Sequence, residues 1–239
     1  MAFAGSKSSR VLLGPLSLSC SLRSVGFNLS TDTHDVTTLC DSAHVSIPTL
    51  TSGTASFDGP LDLDTTANLP FDILSDNWRS GELPCTYGPA GLAAGAAVIL
   101  GSLIETDFTV QSSPSTSVDW SATGEVNGAV DVGRSIVDVG AVTIDGSSAS
   151  LDGGASSANG GVAQLHVTAF TGFSSDDIIV EHSANNSTWA TLATFTQVTG
   201  LTSQRVTVAA GTTVNRYLRV THNVTGSGSI TVQVSFARR

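Results

Sequence analysis

His34, Asp35, Ser42 and His44 are the residues of this sequence whose types most readily do chemistry. An imidazole between a carboxylate and a hydroxyl is the arrangement that nucleophilic catalysis needs. The spacing does not support that use. No G-x-S-x-G turn presents a serine at a strand-to-helix junction, and no H-x-x-x-H sets two imidazoles on one helical face. Asp62 and Asp64 could open a calcium loop, but the residues after them lack the oxygen ligands and the glycine it requires. Gly88-Pro89-Ala90-Gly91 is followed by no lysine that could hold a phosphate. Cys20, Cys40 and Cys85 are odd in number, far apart and without a C-x-x-C pair, so three small buried hydrophobes are expected rather than a disulfide or zinc framework. No catalytic, cofactor-binding or metal-ligating residue is assigned, no cofactor is expected, and the chain reads as a non-enzyme.

Two of the aromatic residues, Trp189 and Tyr217, could stack on a ligand such as a sugar, with Phe170 and Phe173 nearby in sequence. Aromatic residues in a small β domain are more often core.

Composition narrows the classes further. Only 13% of the 239 residues are charged, against roughly 25% in an average domain. Few charges with abundant Ser, Thr, Gly, Ala and Val suit sheets buried on more than one surface, and a subunit that works as an oligomer. Residues 1–144 hold five basic and fifteen acidic residues, so the whole net charge of −10 lies there. Residues 145–239 balance. Such a surface repels nucleic acid, whose binding rests on releasing counterions from phosphate.

The elements that would hold these residues are strands. Leu16, Leu18, Cys20 and Leu22 alternate with polar residues, the period of a half-buried strand. The polar segment Asp32–Pro48 reads as a long excursion between two strands, of a length that is usually functional. Leu50–Asp62, Val118–Thr123 and Ile136–Ile144 resume strand patterning, and a short helix is expected around Leu69–Trp78. Ala93–Thr109 fits helix by its alanines and strand by Val98, Ile99, Ile104 and Phe108. Gly95 and Gly101, each costing a helix about 1 kcal/mol, favour strand. Asp145–Gly161, DGSSASLDGGASSANGG, is a Gly/Ser-rich linker by composition. Past it, six short alternating segments predict a small antiparallel sandwich over 162–239. The fold class expected is all-β with one short helix, in two modules, 1–144 and 162–239, joined by 145–161. Gly14 and Pro15 break the apolar run after Lys7 and Arg10, so export is not expected, and no apolar stretch is long enough for a membrane helix.

The order of several motifs resembles the major tail tube proteins of long-tailed bacteriophages. These are Asp35-Val36-Thr37-Thr38-Leu39-Cys40-Asp41-Ser42-Ala43, Ile47–Gly59, Tyr87-Gly88-Pro89-Ala90-Gly91 and Val118–Gly133. The resemblance covers roughly residues 10–140, and the second module resembles sandwich domains appended to phage structural proteins. It implies a β-sandwich or barrel-like tail-tube subunit followed by a small β-sandwich on the outer surface. It implies homohexameric rings stacked into a tube, a negatively lined conduit through which DNA passes without specific binding. The implied partners are further copies of the chain and the tail terminator, tape measure and distal tail proteins, without membrane insertion. The implied location is the virion tail, with the host cytoplasm during assembly. Asp32, His34, Asp35, Thr37, Thr38, Leu39, Asp41 and His44 would form the element reaching the next ring. A capsid decoration or glycan-binding virion component, using Trp189 and Tyr217, is the alternative.

Overall fold

A computed structural model describes residues 6–61, 81–112 and 118–239. The expected helix around Leu69–Trp78, with Asp62 and Asp64, lies outside the described residues. The fold is all-β. Among the described residues, the regular elements besides a 3-10 turn at Ser6–Ser8 are strands. In chain order they are β1 (Arg10–Leu13), β2 (Leu16–Ser17), β3 (Ser24–Asp35), β4 (Ser46–Pro60), β5 (Glu82–Gly88), β6 (Ala97–Gln111) and β7 (Asp119–Val126). Then follow β8 (Asp131–Val142), β9 (Gly146–Ser147), β10 (Leu151–Asp152), β11 (Gly161–Ser183), β12 (Ala190–Thr194), β13 (Thr202–Val208) and β14 (Tyr217–Arg238). Residues 97–111 are therefore strand, as their glycines favoured.

The strands form two compact units that the sequence order does not mirror. Unit one comprises Met1–Cys20, Leu83–Gly101 and Asp131–Arg239, and unit two Ser21–Glu82 and Ser102–Val130. The cut expected at 145–161 is not where the units divide, because strands from both sides of it pair with each other. Ile230 to Phe236 of β14 run antiparallel to Val142 to Arg134 of β8.

The expected linker is part of unit one. Its Gly146–Ser147 and Leu151–Asp152 pair with β14. Between and beyond them, Ser148 N–H donates to Val220 O at 2.8 Å, Gly153 N–H to Arg216 O at 2.9 Å and Ser157 N–H to Val214 O at 3.0 Å. Asp152 is clamped bidentately by Arg216, at 2.7 and 2.6 Å. That guanidinium, with the Gly154 N–H, holds the Asp152 carboxyl down at about 2. Composition shows that this stretch cannot bury a core of its own. It does not show that a neighbouring strand supplies the partners.

In unit one, β11 and β14 pair along nearly their whole lengths, Gly161 with Arg238 at one end and Ser183 with Tyr217 at the other. Four of the six expected short strands are thus halves of two long ones. Bulges between Val167 and Ser175, with Gly172 and Gly226 at φ +79° and +98°, replace the expected breaks. β13 pairs with Gly161–Val167 and β12 with Ile179–His182, both on the side of β11 away from β14. Leu165, Val167, Ile178, Val180, Val220, Val232, Val234 and Phe236 meet in one core. Burying each such side chain contributes about 1.5–3 kcal/mol.

The alternate residues of the same strands are buried too. Gln164, His166, Gln233 and Ser235 have no exposed surface, although their alternation with apolar residues reads as a solvent face. They lie in a polar seam with β1, β5 and β8. His166 Nδ1 is 2.7 Å from Gly14 O. A carbonyl can only accept, so Nδ1 carries the proton and Nε2 is an acceptor. Thr86 Oγ1 donates to Nε2 at 2.8 Å and in turn accepts from Gln164 Nε2 at 2.8 Å. Arg205 Nη1 donates to Gln164 Oε1 at 2.7 Å, and its Nη2 to Asp131 Oδ2 at 2.6 Å. Arg239 closes the chain on Asp131 at 2.8 and 2.9 Å. The Thr86 direction follows from His166 being neutral. Burial pushes its pKa down to about 4, against a smaller opposing effect of the Gly14 carbonyl. Cys85 is buried in this unit and its thiol is pushed up by burial, whereas Cys20 and Cys40 are exposed, contrary to the expectation for all three.

Unit two is an antiparallel sheet in the order β3-β4-β7-β6, with residues 102–111 of β6. Cross-strand neighbours share a face. Ala55 and Phe57 of β4 lie beside Gly124 and Ala122 of β7, and Gly124 and Ala122 beside Glu105 and Phe108 of β6. Phe27 meets Phe57 edge to face, ring centroids 6.3 Å apart. Glu105 is thus an acid on an apolar face. Both its carboxylate oxygens are shielded and without a hydrogen-bond partner. Burial, and secondarily Asp107, push its pKa up to about 7.

The charge division is sharper by unit than by sequence. Unit two holds thirteen acidic and two basic residues, a net −11; unit one holds seven and eight, a net +1.

Two outcomes follow from the buried groups. His166 has a folded pKa below its unfolded one, so it favours the folded state above pH 6.5 and ceases to as pH falls towards 4. Stability measured by denaturant titration falls by on the order of 3 kcal/mol across that window, and His166→Gln removes this slope relative to wild type. Glu105 has the opposite sign: its folded pKa exceeds the unfolded one, so stability is lost as pH rises from 4.5 through 7. Glu105→Gln raises the unfolding midpoint at pH 8 and leaves it nearly unchanged at pH 4.

Candidate assembly interface

The segment Asp32–Pro48 is less an excursion than the far end of a hairpin. Ser24 pairs with Asp58 at its base and Asp35 with Ser46 at its tip. Thr54–Pro60 of β4 also pair with β7, but among the described residues Ser46–Gly53 pair only with β3. Among the described residues the distal half is therefore a two-stranded arm. A two-stranded ribbon is marginally stable alone in water.

Side chains brace the tip. Asp35 Oδ1 accepts from the Thr37 N–H at 2.8 Å and from the Thr37 hydroxyl. His44 Nδ1 lies 3.2 Å from Asp35 Oδ2, and Val45 N–H donates to Thr37 Oγ1 at 2.9 Å. Asp41 Oδ2 accepts from Thr38 N–H at 2.7 Å and Thr38 Oγ1 at 2.8 Å. The Thr37 hydroxyl and N–H hold the Asp35 carboxyl below its usual range, and the Thr38 N–H and hydroxyl do the same for Asp41. Asp32 contributes its carbonyl, accepting from Thr49 Oγ1 at 3.0 Å. His34 stands opposite Ile47 in the ladder. So Asp35, Thr37 and His44 form one cluster and Thr38 and Asp41 another, while Asp32 and His34 lie further down the arm. These contacts shape a turn. Ser42 is exposed and the His44–Asp35 pair is open to water.

The arm presents apolar surface that the polar reading of this segment passed over. Leu39 is fully exposed at the tip, at 107% of its reference area, and Leu50 is 76% exposed. Leu29, Val36, Val45 and Ile47 are exposed as well. Six large apolar side chains are thus exposed on one thin ribbon, the kind of patch that a partner commonly covers. Val45 and Ile47 alternating with Ser46 carried the signal in the sequence.

The two aromatic candidates are each covered by an arginine. The Arg219 guanidinium lies 4.2 Å from the Trp189 ring centroid, and that of Arg216 lies 5.0 Å from Tyr217. Arg219 Nε also donates to Glu181 Oε2 at 2.7 Å, which accepts from Thr221 Oγ1 at 2.7 Å. Burial pushes the Glu181 carboxyl up, but these hydrogen bonds outweigh it and hold the carboxyl below its usual range. One face of each ring is thus occupied within the chain. Among the described residues, no three His, Cys, Asp or Glu side chains are grouped to hold a metal ion.

No family model matches the sequence, and no curated protein sequence matches it. Solved structures do. A protein of the native gene transfer agent virion is 14% identical, with a TM-score of 0.43, over 54% of this chain and 98% of that one. The SPP1 Dit protein, described as a hub of the adsorption apparatus of phages infecting Gram-positive hosts, is 10% identical, with a TM-score of 0.40, over 96% and 98%. A protein of the phage P2 baseplate in its activated conformation is 8% identical, with a TM-score of 0.39, over 97% and 98%. No residue role passes from these proteins to this chain.

Replacing Arg219 with methionine uncovers Trp189 and leaves Glu181 with the Thr221 hydroxyl but no cation. It lowers stability by about 1–2 kcal/mol in denaturant titrations at pH 7, while Leu39→Ala at the tip changes stability by less than about 0.5 kcal/mol.

Proposed function

We propose that this chain is a structural subunit of a long-tailed phage tail. It assembles through the β3–β4 arm into hexameric rings that stack into a tube, with unit two facing a conduit for DNA. The observation that carries this reading is the charge division, −11 on unit two against +1 on unit one. A conduit must pass DNA without holding it. An acidic wall repels phosphate, and its field reaches about a Debye length, roughly 8 Å at physiological salt. Repeated around a ring, the charge of unit two gives such a wall.

The arm supports the same reading. A braced ribbon with exposed apolar side chains suits a contact between copies, and a chain left as a monomer would expose it to aggregation. The resemblance of Asp35–Ala43, Ile47–Gly59 and Val118–Gly133 to tail tube proteins gives the class of assembly. Tail terminator, tape measure and distal tail proteins are the partners it implies.

Electron microscopy of the purified protein tests the proposal. Hollow, six-fold rings or tubes are expected, and monodisperse monomers at every concentration and salt would overturn it. Replacing residues 36–45 with an Asn-Gly turn, which suits a two-residue hairpin, leaves a folded subunit by circular dichroism that forms no tubes. Normal tubes from this variant would remove the arm from the interface.

A further inference from the structure

Unit one contains a cleft that matches the chemistry of the arm tip. It has a volume of about 260 Å³ and is lined by Ala97, Val132, Leu151, Leu218 and Phe236, with Arg134 and Arg238 at its sides. Small-molecule sites usually run from roughly 300 Å³ upwards, so the cleft suits one or two side chains better than a free ligand. Val132, on its rim, is 68% exposed.

The two arginines are the unusual feature. Arg205, Arg216, Arg219 and Arg239 of this unit all contact carboxylates. Among the described residues, Arg134 donates to Gly95 O, at 2.7 Å, and meets no carboxylate. Arg238 donates to the carbonyls of Val214, Asn215 and Arg216, at 2.7, 2.6 and 3.1 Å. Three carbonyls hold the Arg238 side chain in place without neutralising it, and burial lowers its pKa. A guanidinium has five N–H donors, so both residues keep donors for a carboxylate.

The arm tip offers the complement. Leu39 is fully exposed and stands two residues from Asp41. Both Thr38 hydrogen bonds to Asp41 end on Oδ2, which leaves Oδ1 for a partner. The tip belongs to the unit of net −11 and the cleft to the unit of net +1.

We propose that the cleft beside Arg134 and Arg238 is the socket for the β3–β4 tip of a second copy of this chain, with Leu39 entering the apolar floor and Asp41 meeting the guanidiniums. This rests on the self-assembly proposed above and names the surface that receives the arm. The tip and the cleft are different patches, so the contact is heterologous. Each copy inserts its tip into one neighbour and receives the tip of another, which propagates into rings or stacks rather than stopping at a dimer.

Two single-thiol chains test it in the full-length protein. Cys20 and Cys40 are exposed and Cys85 is buried. One chain carries Cys20→Ser and keeps Cys40 at the tip. The other carries Cys20→Ser, Cys40→Ser and Val132→Cys, with a thiol only at the cleft rim. With a short bismaleimide, the mixed chains are expected to give a cross-linked heterodimer, and neither chain alone a homodimer. Leu39→Asp in the first chain, or Arg134→Glu in the second, is expected to cut the yield about tenfold, equivalent to about 1.4 kcal/mol of contact. Both side chains are exposed, so circular dichroism should be unchanged. Assembly by microscopy without the heterodimer, or with a yield unaffected by both substitutions, overturns the socket and leaves self-assembly standing. Monomers under all conditions overturn both.

Discussion

A neutral histidine with no exposed surface holds unit one together. His166 has one acceptor and one donor satisfied, by Thr86 and Gly14. The chain of donors continues through Gln164 and Arg205 to Asp131 and Arg239. Segments from both ends and the middle of the sequence therefore meet in one polar seam of fixed direction. Protonating His166 would turn its acceptor into a donor facing the Thr86 hydroxyl, and would place a charge where water cannot reach it. A network of this kind is worth having only when nearly every member is satisfied. Gln233, buried in the same unit, donates instead to Ser135 and Ser235, and its Oε1 has no partner among the described residues.

The two units solve different problems. Unit one carries nearly balanced charge and ties its ion pairs into the structure, as with Arg239 and Arg205 on Asp131 and Arg216 on Asp152. Unit two concentrates acidic side chains that repel one another, a cost to its own stability. It also keeps Glu105 on its apolar face with no partner. Under the function proposed above, the exposed acidic side chains serve to repel phosphate rather than to fold the unit. The arm is similar: six exposed apolar side chains weaken the case for a solitary chain and suit a subunit.

The spine of unit one is the paired ribbon of β11 and β14. Bulges and two left-handed glycines let each strand continue where short strands would have ended. Because β14 pairs with β8, β9, β10 and β11 along its length, it gathers the stretch 145–161 into the same unit. The Gly/Ser-rich composition there reflects small residues paired at a sheet edge, with Asp152 held by Arg216.

The sequence by itself determined the all-β class, most strand positions, the excess of acid and the segment that forms the arm. These depend on local alternation and on composition, which a single strand already displays. It did not determine what lies against each face. His166, Gln233 and Ser235 alternate with apolar residues as a solvent face would, yet a second layer covers them. Period-2 patterning records polarity, and a polar seam between layers has the same polarity as a wetted surface. Nor could it place the division into units, or the cleft of Arg134 and Arg238. Both depend on which distant strands pair, and that choice is made by the tertiary structure, where buried groups must find partners that their neighbours in sequence do not supply.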